Sequence, residues 1–299
     1  MAAPRTRPGR RLMRHALVFG GTGQIGEPLI DRLRNGGWRV TALSRNPQRD
    51  EPGVTWLQGA FDAMPVLPAQ VEAIISCGPL DAFSHWYARS GPGAPRVIAF
   101  GSTSVMVKQH SVDPEERDVA QRLQLAEDRL TTAARERGAS PTILRPTLVY
   151  GAARDATLSR IARIAHRVRW FPLPRRANGL RQPVHVGDLA AAVVDCIGAT
   201  GAFDQAFDLP GGETLQYREM VRRVLRVLEP PAHLLELPLP VFEMAVRIAQ
   251  SRGIATGFGD AAIERMRRDL VFDATPARDA FGYAPRAFAP KASMFPRAG

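Results

Sequence analysis

The sequence predicts an α/β fold, a doubly wound parallel sheet followed by a smaller C-terminal lobe. Three observations carry this. Short apolar runs of strand length alternate with amphipathic helical stretches from residue 16 to residue 149, with short connections between them. The first run passes directly into glycines at 20, 23 and 26, and a helical stretch follows. After Tyr150 the alternation breaks, and an arginine-rich helical segment and a Pro-rich loop take its place.

Residues 16–19 (Ala-Leu-Val-Phe) read as a first strand, apolar throughout as a buried parallel strand is. The helix after it carries Ile25, Leu29, Ile30 and Leu33 on one face and ends at Gly36-Gly37. Strands follow at 39–43, 54–57 and 73–76, the last running into the turn Cys77-Gly78-Pro79. A fifth strand at 96–100 leads into Gly101-Ser102-Thr103-Ser104. A long helix opens at Asp113-Pro114-Glu115-Glu116, where Asp caps, Pro suits the first turn and Glu completes a capping box. It carries Val119, Leu123, Ala126 and Leu130, and stops at Gly138; the sixth strand is 142–149.

Beyond it come a helix over Leu158–Val168, a strand at 183–186 and a helix capped by Asp188. A short strand at 206–209 and helices near 217–228, 241–251 and 261–270 follow, and read together as a smaller lobe over the carboxyl edge of the sheet. Residues 239–249, with Val241, Met244, Ala245 and Ile248, read as core of the lobe. The expected division is a disordered basic arm at 1–13, a core at 14–151, and a C-terminal part at 152–299 holding the last core elements and the lobe.

A length of 299 residues suits one large α/β domain, or a domain plus a small lobe. Hydrophobic content of 45% and charged content of 23% are those of an ordinary globular chain. No apolar run approaches the roughly 20 residues that span a bilayer, so no membrane partner is expected. Cys77 and Cys196 stand far apart, which points to neither a disulfide framework nor a thiolate metal cluster and fits a reducing cytoplasm.

The net charge of +11 is almost wholly arginine, because Lys108 and Lys291 are the only lysines. Such a bias, with abundant Ala, Pro and Gly, reads as coding composition rather than as a basic face. With no recognition-helix or aromatic-platform motif, nucleic acid is not an expected partner. Residues 1–13 hold several arginines and no acid, and lack the apolar core of a secretory signal.

Glycines at 20, 23 and 26 between a strand and a helix make a seat for a pyrophosphate. Glycine permits positive φ and close approach of the backbone, while unpaired helix N–H groups and the helix dipole favour an anion. The position between strand and helix is what a dinucleotide site requires.

Several segments, in order, carry a resemblance. They are GGTGQIG at 20–26, GSTSV at 101–105, Ala126-Glu127 on the long helix, and LRPTLVYG at 144–151. QPVHVGDLA at 182–190, FDLPGGETLQYREM at 207–220 and FGYAPRAF at 281–288 follow. With these the chain resembles the short-chain dehydrogenase/reductase superfamily, in its extended and atypical branch of epimerase/dehydratase-like proteins. The resemblance implies a Rossmann-type sheet, a small-molecule substrate and a bound NAD(P)(H). It implies a cofactor held by Gly20, Thr22, Gly23, Gln24, Ile25 and Gly26, with Cys77 and Gly78 in the turn after strand four.

The second strand ends Leu43-Ser44-Arg45-Asn46, without the acid that holds a ribose 2′-hydroxyl. Arginine pairs bidentately with a 2′-phosphate, so Ser44 and Arg45 argue for NADP(H) over NAD(H); the alternative is a solvated surface arginine. Relatives place an acid after strand three to contact adenine. Here Gly59-Ala60 occupies that place and Asp62 is displaced.

The catalytic signature departs from the family. Its Tyr-x-x-x-Lys pair, in which Lys lowers the Tyr pKa for proton transfer, would fall at Val119 and Leu123. The residues four before the two lysines are Ser104 and Ala287, so no other register restores the pair. Tyr150-Gly-Ala-Ala-Arg154 mimics it after strand six, where relatives commonly end in Tyr-Gly.

Ser102 stands where the family's carbonyl-polarising Ser or Thr sits, with Thr103 and Ser104 beside it; it is equally a turn cap. Lys108 is either a proton donor or a solvated loop lysine. His85, His110 and His185 are candidate proton donors by residue type and carry no assigned role. Arg154, Arg160, Arg163, Arg167, Arg169, Arg175, Arg176 and Arg181 surround the region that meets the substrate diphosphate in sugar-nucleotide relatives. Those at 160, 163 and 167 share a helical face, which serves an anionic substrate or is simply solvated. Two functions follow: an NADP(H)-dependent epimerase/dehydratase-like oxidoreductase, or a non-catalytic NAD(P)(H)-binding sensor or assembly protein.

Overall fold

The structure is a computed structural model that describes residues 14–251 and 260–296. The basic arm expected at 1–13 lies outside the described residues. The chain opens with β1 (His15–Phe19), α1 (Gly26–Asn35), β2 (Arg39–Ser44), β3 (Val54–Gln58) and β4 (Ala73–Ser76). Then come α2 (Leu80–Ser90), β5 (Arg96–Phe100), α3 (Ser104–Val107), α4 (Pro114–Glu136), β6 (Ser140–Pro146) and β7 (Val149–Tyr150). Next are α5 (Leu158–Val168), β8 (Trp170–Pro174), β9 (Leu180–Arg181), β10 (Val184–His185), α6 (Val186–Ile197) and β11 (Gln205–Leu209). The last are β12 (Leu215–Gln216), α7 (Tyr217–Val227), β13 (His233–Leu237), α8 (Leu239–Ser251), α9 (Asp260–Arg267) and α10 (Thr275–Phe281).

Seven strands form one parallel sheet in the order β11-β6-β5-β4-β1-β2-β3. This is the doubly wound α/β fold, with helices on both faces. The strand order reverses between β1 and β4, and a crevice opens at the carboxyl ends of the strands at such a reversal. The glycine loop leaves β1 there and the turn 77–79 leaves β4, tied by the Cys77 N–H donating to the Phe19 carbonyl at 2.9 Å.

Three apolar clusters hold the layers. Leu29, Leu33, Val40 and Val193 pack α1 and α6 against one face of the sheet. Phe83, Tyr87, Leu130 and Val97 pack α2 and α4 against the other. A third cluster, with Ile161, Phe171, Met220 and Val221, sits under the lobe built from α5, α7 and β8. Burial of each such side chain contributes about 2 kcal/mol. Three arginines work inside rather than on the surface. Arg96 donates to the carbonyls of Ile197 and Ser140 and to Thr142, Arg145 pairs with Glu127, and burial lowers the Arg181 pKa to about 10.

Several expectations are corrected. The chain between Ser76 and Arg96 holds α2, whose Leu80, Phe83, Ser84 and Tyr87 are buried at helical spacing. The sixth strand ends at Pro146, which has no N–H to extend the ladder, and β7 pairs with β10 in a separate small sheet. Gln205–Leu209 is not in the lobe; it is the edge strand of the main sheet, with Asp208 opposite Arg145. Asp113 does cap α4, its Oδ1 accepting from the Glu115 N–H at 2.9 Å. The capping box does not close, because Glu116 binds Ser111 and Arg265.

Asp188 is not the cap of α6. His185 fills that position, its Nδ1 accepting from the Gly187 N–H at 3.0 Å, while Asp188 pairs with Arg286. The buried side of α8 is Phe242, and Val241, Met244 and Ile248 are about half exposed. Among the described residues no helix is long and apolar enough to cross a membrane.

Candidate functional site

The crevice at the strand-order reversal is a cleft of about 460 Å³. Gly20, Thr22, Gly23, Ser44, Arg45, Cys77 and Gly78, named from the sequence, all line it. Gly20 has φ +71°, and a Cβ there would lie 2.9 Å from the Cys77 carbonyl carbon and the Gly78 nitrogen. A Cβ on Gly26 would lie 2.1 Å from the Gly20 carbonyl oxygen, so only glycine lets α1 start this close to the loop. The Gly23 N–H donates to the Gly20 carbonyl at 2.9 Å, closing the turn between them.

Helix α1 starts at Gly26 with Ile25 in the N-cap position, and no side chain caps its N-terminus. Its first N–H groups and its dipole therefore face the mouth of the loop without a side-chain acceptor. Gln24, Ile25 and Gly26 do not line the cleft. The Ile25 side chain is in the core, Gly26 is buried, and the Gln24 Oε1 is buried with no partner. Whatever these three offer a ligand comes from the backbone.

The far end of the cleft is formed by the close of β2. Ser44 is buried, and its Oγ accepts from the Asn46 N–H at 3.2 Å; Arg45 is exposed at the rim. Gly59, Ala60 and Phe61 form the wall opposite, with Phe61 stacked on Phe19 at 5.5 Å between ring centroids. Asp62 lines a different hollow with His85 and Trp86. Cys77 supplies a wall and no reactivity, because burial pushes its thiol up to about 12.

The proposed chemical groups are mostly engaged elsewhere. The Ser102 Oγ accepts from the Ser104 N–H at 3.1 Å, a side-chain turn just ahead of α3, whose N-cap Thr103 makes no capping bond, and Ser102 is not among the residues lining the cleft. Thr103 donates to the Pro146 carbonyl at 3.2 Å. The Lys108 Nζ lies 3.7 Å from Glu116, which also takes a bond from Ser111 and pairs closely with Arg265. Lys108 therefore belongs to an ion cluster joining α4 to α9 and is neither a solvated lysine nor a cleft residue. Tyr150 is fully buried, its ring edge-on to Phe288 and His185; burial raises its pKa. His185 is lowered, first by burial and then by Arg286. His85 and His110 are exposed. Val119 and Leu123 are half-buried on α4.

Arg160, Arg163 and Arg167 do not act as one face. Arg160 lines a second pocket of about 290 Å³ under the lobe, with Arg181, Arg265, Tyr217 and Leu148, while Arg163 and Arg167 are exposed. Arg154, which the sequence offered as part of the arginine group and as the end of the Tyr150-Gly-Ala-Ala-Arg154 mimic, lies in the main cleft. Its backbone is 132 residues from Thr22, so no local pattern places it there. Among the described residues no group of three or more His, Cys, Asp or Glu is arranged for a metal.

No protein-family model matches the sequence. The UDP-glucose 4-epimerase of Vibrio cholerae is 25% identical over 161 residues, 54% of this chain and 46% of its own length, so the match spans about half of that relative. A reductase from Streptomyces griseus, which acts on (4-alkanoyl-5-oxo-2,5-dihydrofuran-3-yl)methyl phosphate, is 26% identical over 274 residues. That match covers 87% of this chain and 90% of the reductase. The structure of MoeE5 in complex with UDP-glucuronic acid and NAD superposes with a TM-score of 0.66 at 18% identity, covering 92% of this chain and 94% of that one. The sheet and its glycine loop define a Rossmann-type α/β protein. In sequence the chain is similar to these epimerase and reductase relatives, and in fold to epimerase-type structures.

Proposed function

We propose that this protein is an NADP(H)-dependent oxidoreductase of the epimerase/dehydratase-like kind, acting on a small anionic carbonyl or hydroxyl compound. The observation that carries the cofactor is Arg45, at the rim of a cleft whose β2 end, Ser44 to Asn46, holds no acid. The cleft fits a dinucleotide on its own geometry. At Gly20 and Gly26 a Cβ would strike the backbone of the loop and of the turn 77–78, so glycine there lets the loop close tightly beside the cleft, and α1 starts without a side-chain cap. Gly20, Thr22, Gly23 and the backbone at 24–26 would hold the pyrophosphate, Ser44 and Arg45 the 2′-phosphate, and Cys77 and Gly78 the wall beyond. A bound nicotinamide would supply or accept the hydride.

The chain's own contribution is one donor and one anion pocket. Ser102 keeps its oxygen on the Ser104 N–H, which orients the hydroxyl so that its hydrogen can hold a substrate oxygen. Among the described residues no Tyr or Lys lines the cleft, so the proton would come from water or from an unconventional acid. The pocket lined by Arg160, Arg181 and Arg265 gives the substrate's anionic group a place, and the phosphate-bearing substrate of the Streptomyces reductase supports that class. Cys77 and Cys196, both free thiols, suit a reducing cytoplasm.

A second reading stands on Val119 and Leu123, which occupy α4 where the resemblance expects Tyr and Lys: a non-catalytic NADP(H)-binding sensor or assembly protein. One experiment separates the outcomes. Calorimetric titration should give tighter binding of NADPH than of NADH, and Arg45→Ala should weaken only NADPH, by about 1.5–3 kcal/mol for a charge-assisted bond. Equal affinities in the parent refute the NADP(H) assignment. Tight NADPH binding with no turnover across aldehydes, ketones, sugar nucleotides and unsaturated lactone phosphates favours the second reading.

A further inference from the structure

Arg154 is the residue of the cleft that neither the glycine loop nor the 2′-phosphate assignment uses. It leaves the chain just after β7, at a turn held by two left-handed residues, Gly151 at φ +119° and Ala153 at φ +57°. A left-handed alanine costs about 1 kcal/mol and persists only where surrounding contacts impose it. Here the Ala153 N–H donates to the Met294 carbonyl at 3.1 Å. The turn aims Arg154 across the crevice onto the glycine loop. Its Nη1 donates to the Thr22 carbonyl at 2.6 Å and lies 3.0 Å from a carboxylate oxygen of Glu27, in the first turn of α1.

Charge makes this position meaningful. Thr22 and Gly23 belong to the loop that would carry a pyrophosphate, and Glu27 sets a negative charge one turn away. That carboxylate opposes a doubly charged ligand unless a cation offsets it. Arg45 and Arg154 are the charged side chains lining the cleft. Arg45 follows β2, whereas Arg154 contacts the loop itself. Both Arg154 contacts use Nη1, and a guanidinium carries further donors on Nε and Nη2.

We propose that Arg154 is the pyrophosphate clamp of this cleft, a cation held on Thr22 and Glu27 in the free protein that turns its remaining donors onto the dinucleotide's diphosphate. The inference rests on the reading that the cleft binds NADP(H). It assigns the two arginines different duties: Arg45 discriminates NADP(H) from NAD(H), and Arg154 serves both equally. It also makes binding depend on the C-terminal half of the chain, which supplies this cation to a loop in the N-terminal half.

The test is calorimetry on the full chain with NADP⁺, NAD⁺ and adenosine 2′-monophosphate, which lacks the diphosphate. Arg154→Gln should weaken both dinucleotides by roughly tenfold and leave the monophosphate unchanged. Arg154→Lys should recover part of the loss, since it restores the charge without the planar fork. Unchanged dinucleotide affinity in a folded Arg154→Gln protein overturns the clamp. So does a matching loss for the monophosphate, which would mean that Arg154 only shapes the loop. If the parent binds neither dinucleotide, the cofactor reading falls and the clamp with it; binding by the parent alone separates the two failures. Should Arg154→Gln not fold, Arg154→Lys carries the test, and parental affinity for both dinucleotides there, with the planar fork gone, overturns the diphosphate contact.

Discussion

Gly26→Ala is the perturbation whose effect the structure fixes most closely. Helix propensity alone favours alanine over glycine by about 1 kcal/mol at a helical position. The structure reverses that sign. A Cβ on residue 26 would stand 2.1 Å from the Gly20 oxygen, more than 1 Å inside ordinary contact, and 2.7 Å from the Gly21 oxygen. Both atoms are backbone, and Gly20 is itself pinned by the Gly23 N–H and packed on Cys77 and Gly78. Relief requires α1 to slide outward, loosening Leu29 and Leu33 from the core.

Overpacking of this kind costs about 1–3 kcal/mol, and rigid walls on both sides put the cost at the upper end, for a net loss of about 2 kcal/mol. In a chain of this size that is a melting temperature lower by roughly 4 °C. An ångström of displacement also takes the first-turn N–H groups of α1 beyond hydrogen-bond range of a seated diphosphate, so dinucleotide affinity should fall about tenfold or more. Thermal unfolding by circular dichroism and NADPH fluorescence titration measure the two effects. Gly78→Ala is the control, because a Cβ there meets nothing within 4 Å and should leave the melting temperature unchanged. A Gly26→Ala protein that melts at or above the parent would refute the reasoning, as would a Gly78→Ala protein that loses as much.

Ser102→Ala should leave the fold and NADPH affinity nearly intact while lowering turnover on any substrate found by ~100-fold; parental turnover would leave the serine only its turn bond to the Ser104 N–H. Stability should fall as the pH drops below about 6.5, because His15 and His185 are both lowered by burial, so the unfolded chain binds their protons more readily than the folded one. His185→Asn keeps an acceptor for the Gly187 N–H but does not titrate, so its melting temperature should decline less between pH 7.5 and 5.5. A parent whose stability is flat or rises across that interval would contradict this. Asp195 and Asp208, raised by burial, act in the opposite sense nearer the carboxylate range.

Local chemistry within a few residues was enough to place the first strand, the glycine turn and α1, the Asp113 cap of α4 and both ends of α5. Each of these is decided by period, capping or the steric freedom of glycine, all of which act over one or two turns of chain. Of the cleft residues, Gly20, Thr22, Gly23, Ser44 and Arg45 follow directly from strand ends, while Cys77 and Gly78 came with the family resemblance. The remainder depended on what the chain packs against. Whether Gln205–Leu209 joins the lobe or the sheet is decided by its register with β6, and which side of α8 is buried is decided by Phe242 finding the core before Val241 or Met244 does. Glu116 is drawn from its own helix cap by Arg265, 149 residues away. Arg154 reached the glycine loop only because the turn after β7 folds across the crevice. The sequence by itself determined six strands of the sheet and the glycine loop; tertiary packing decided the seventh strand and which charges surround that loop, because attraction between distant side chains takes effect only once the backbone has brought them together.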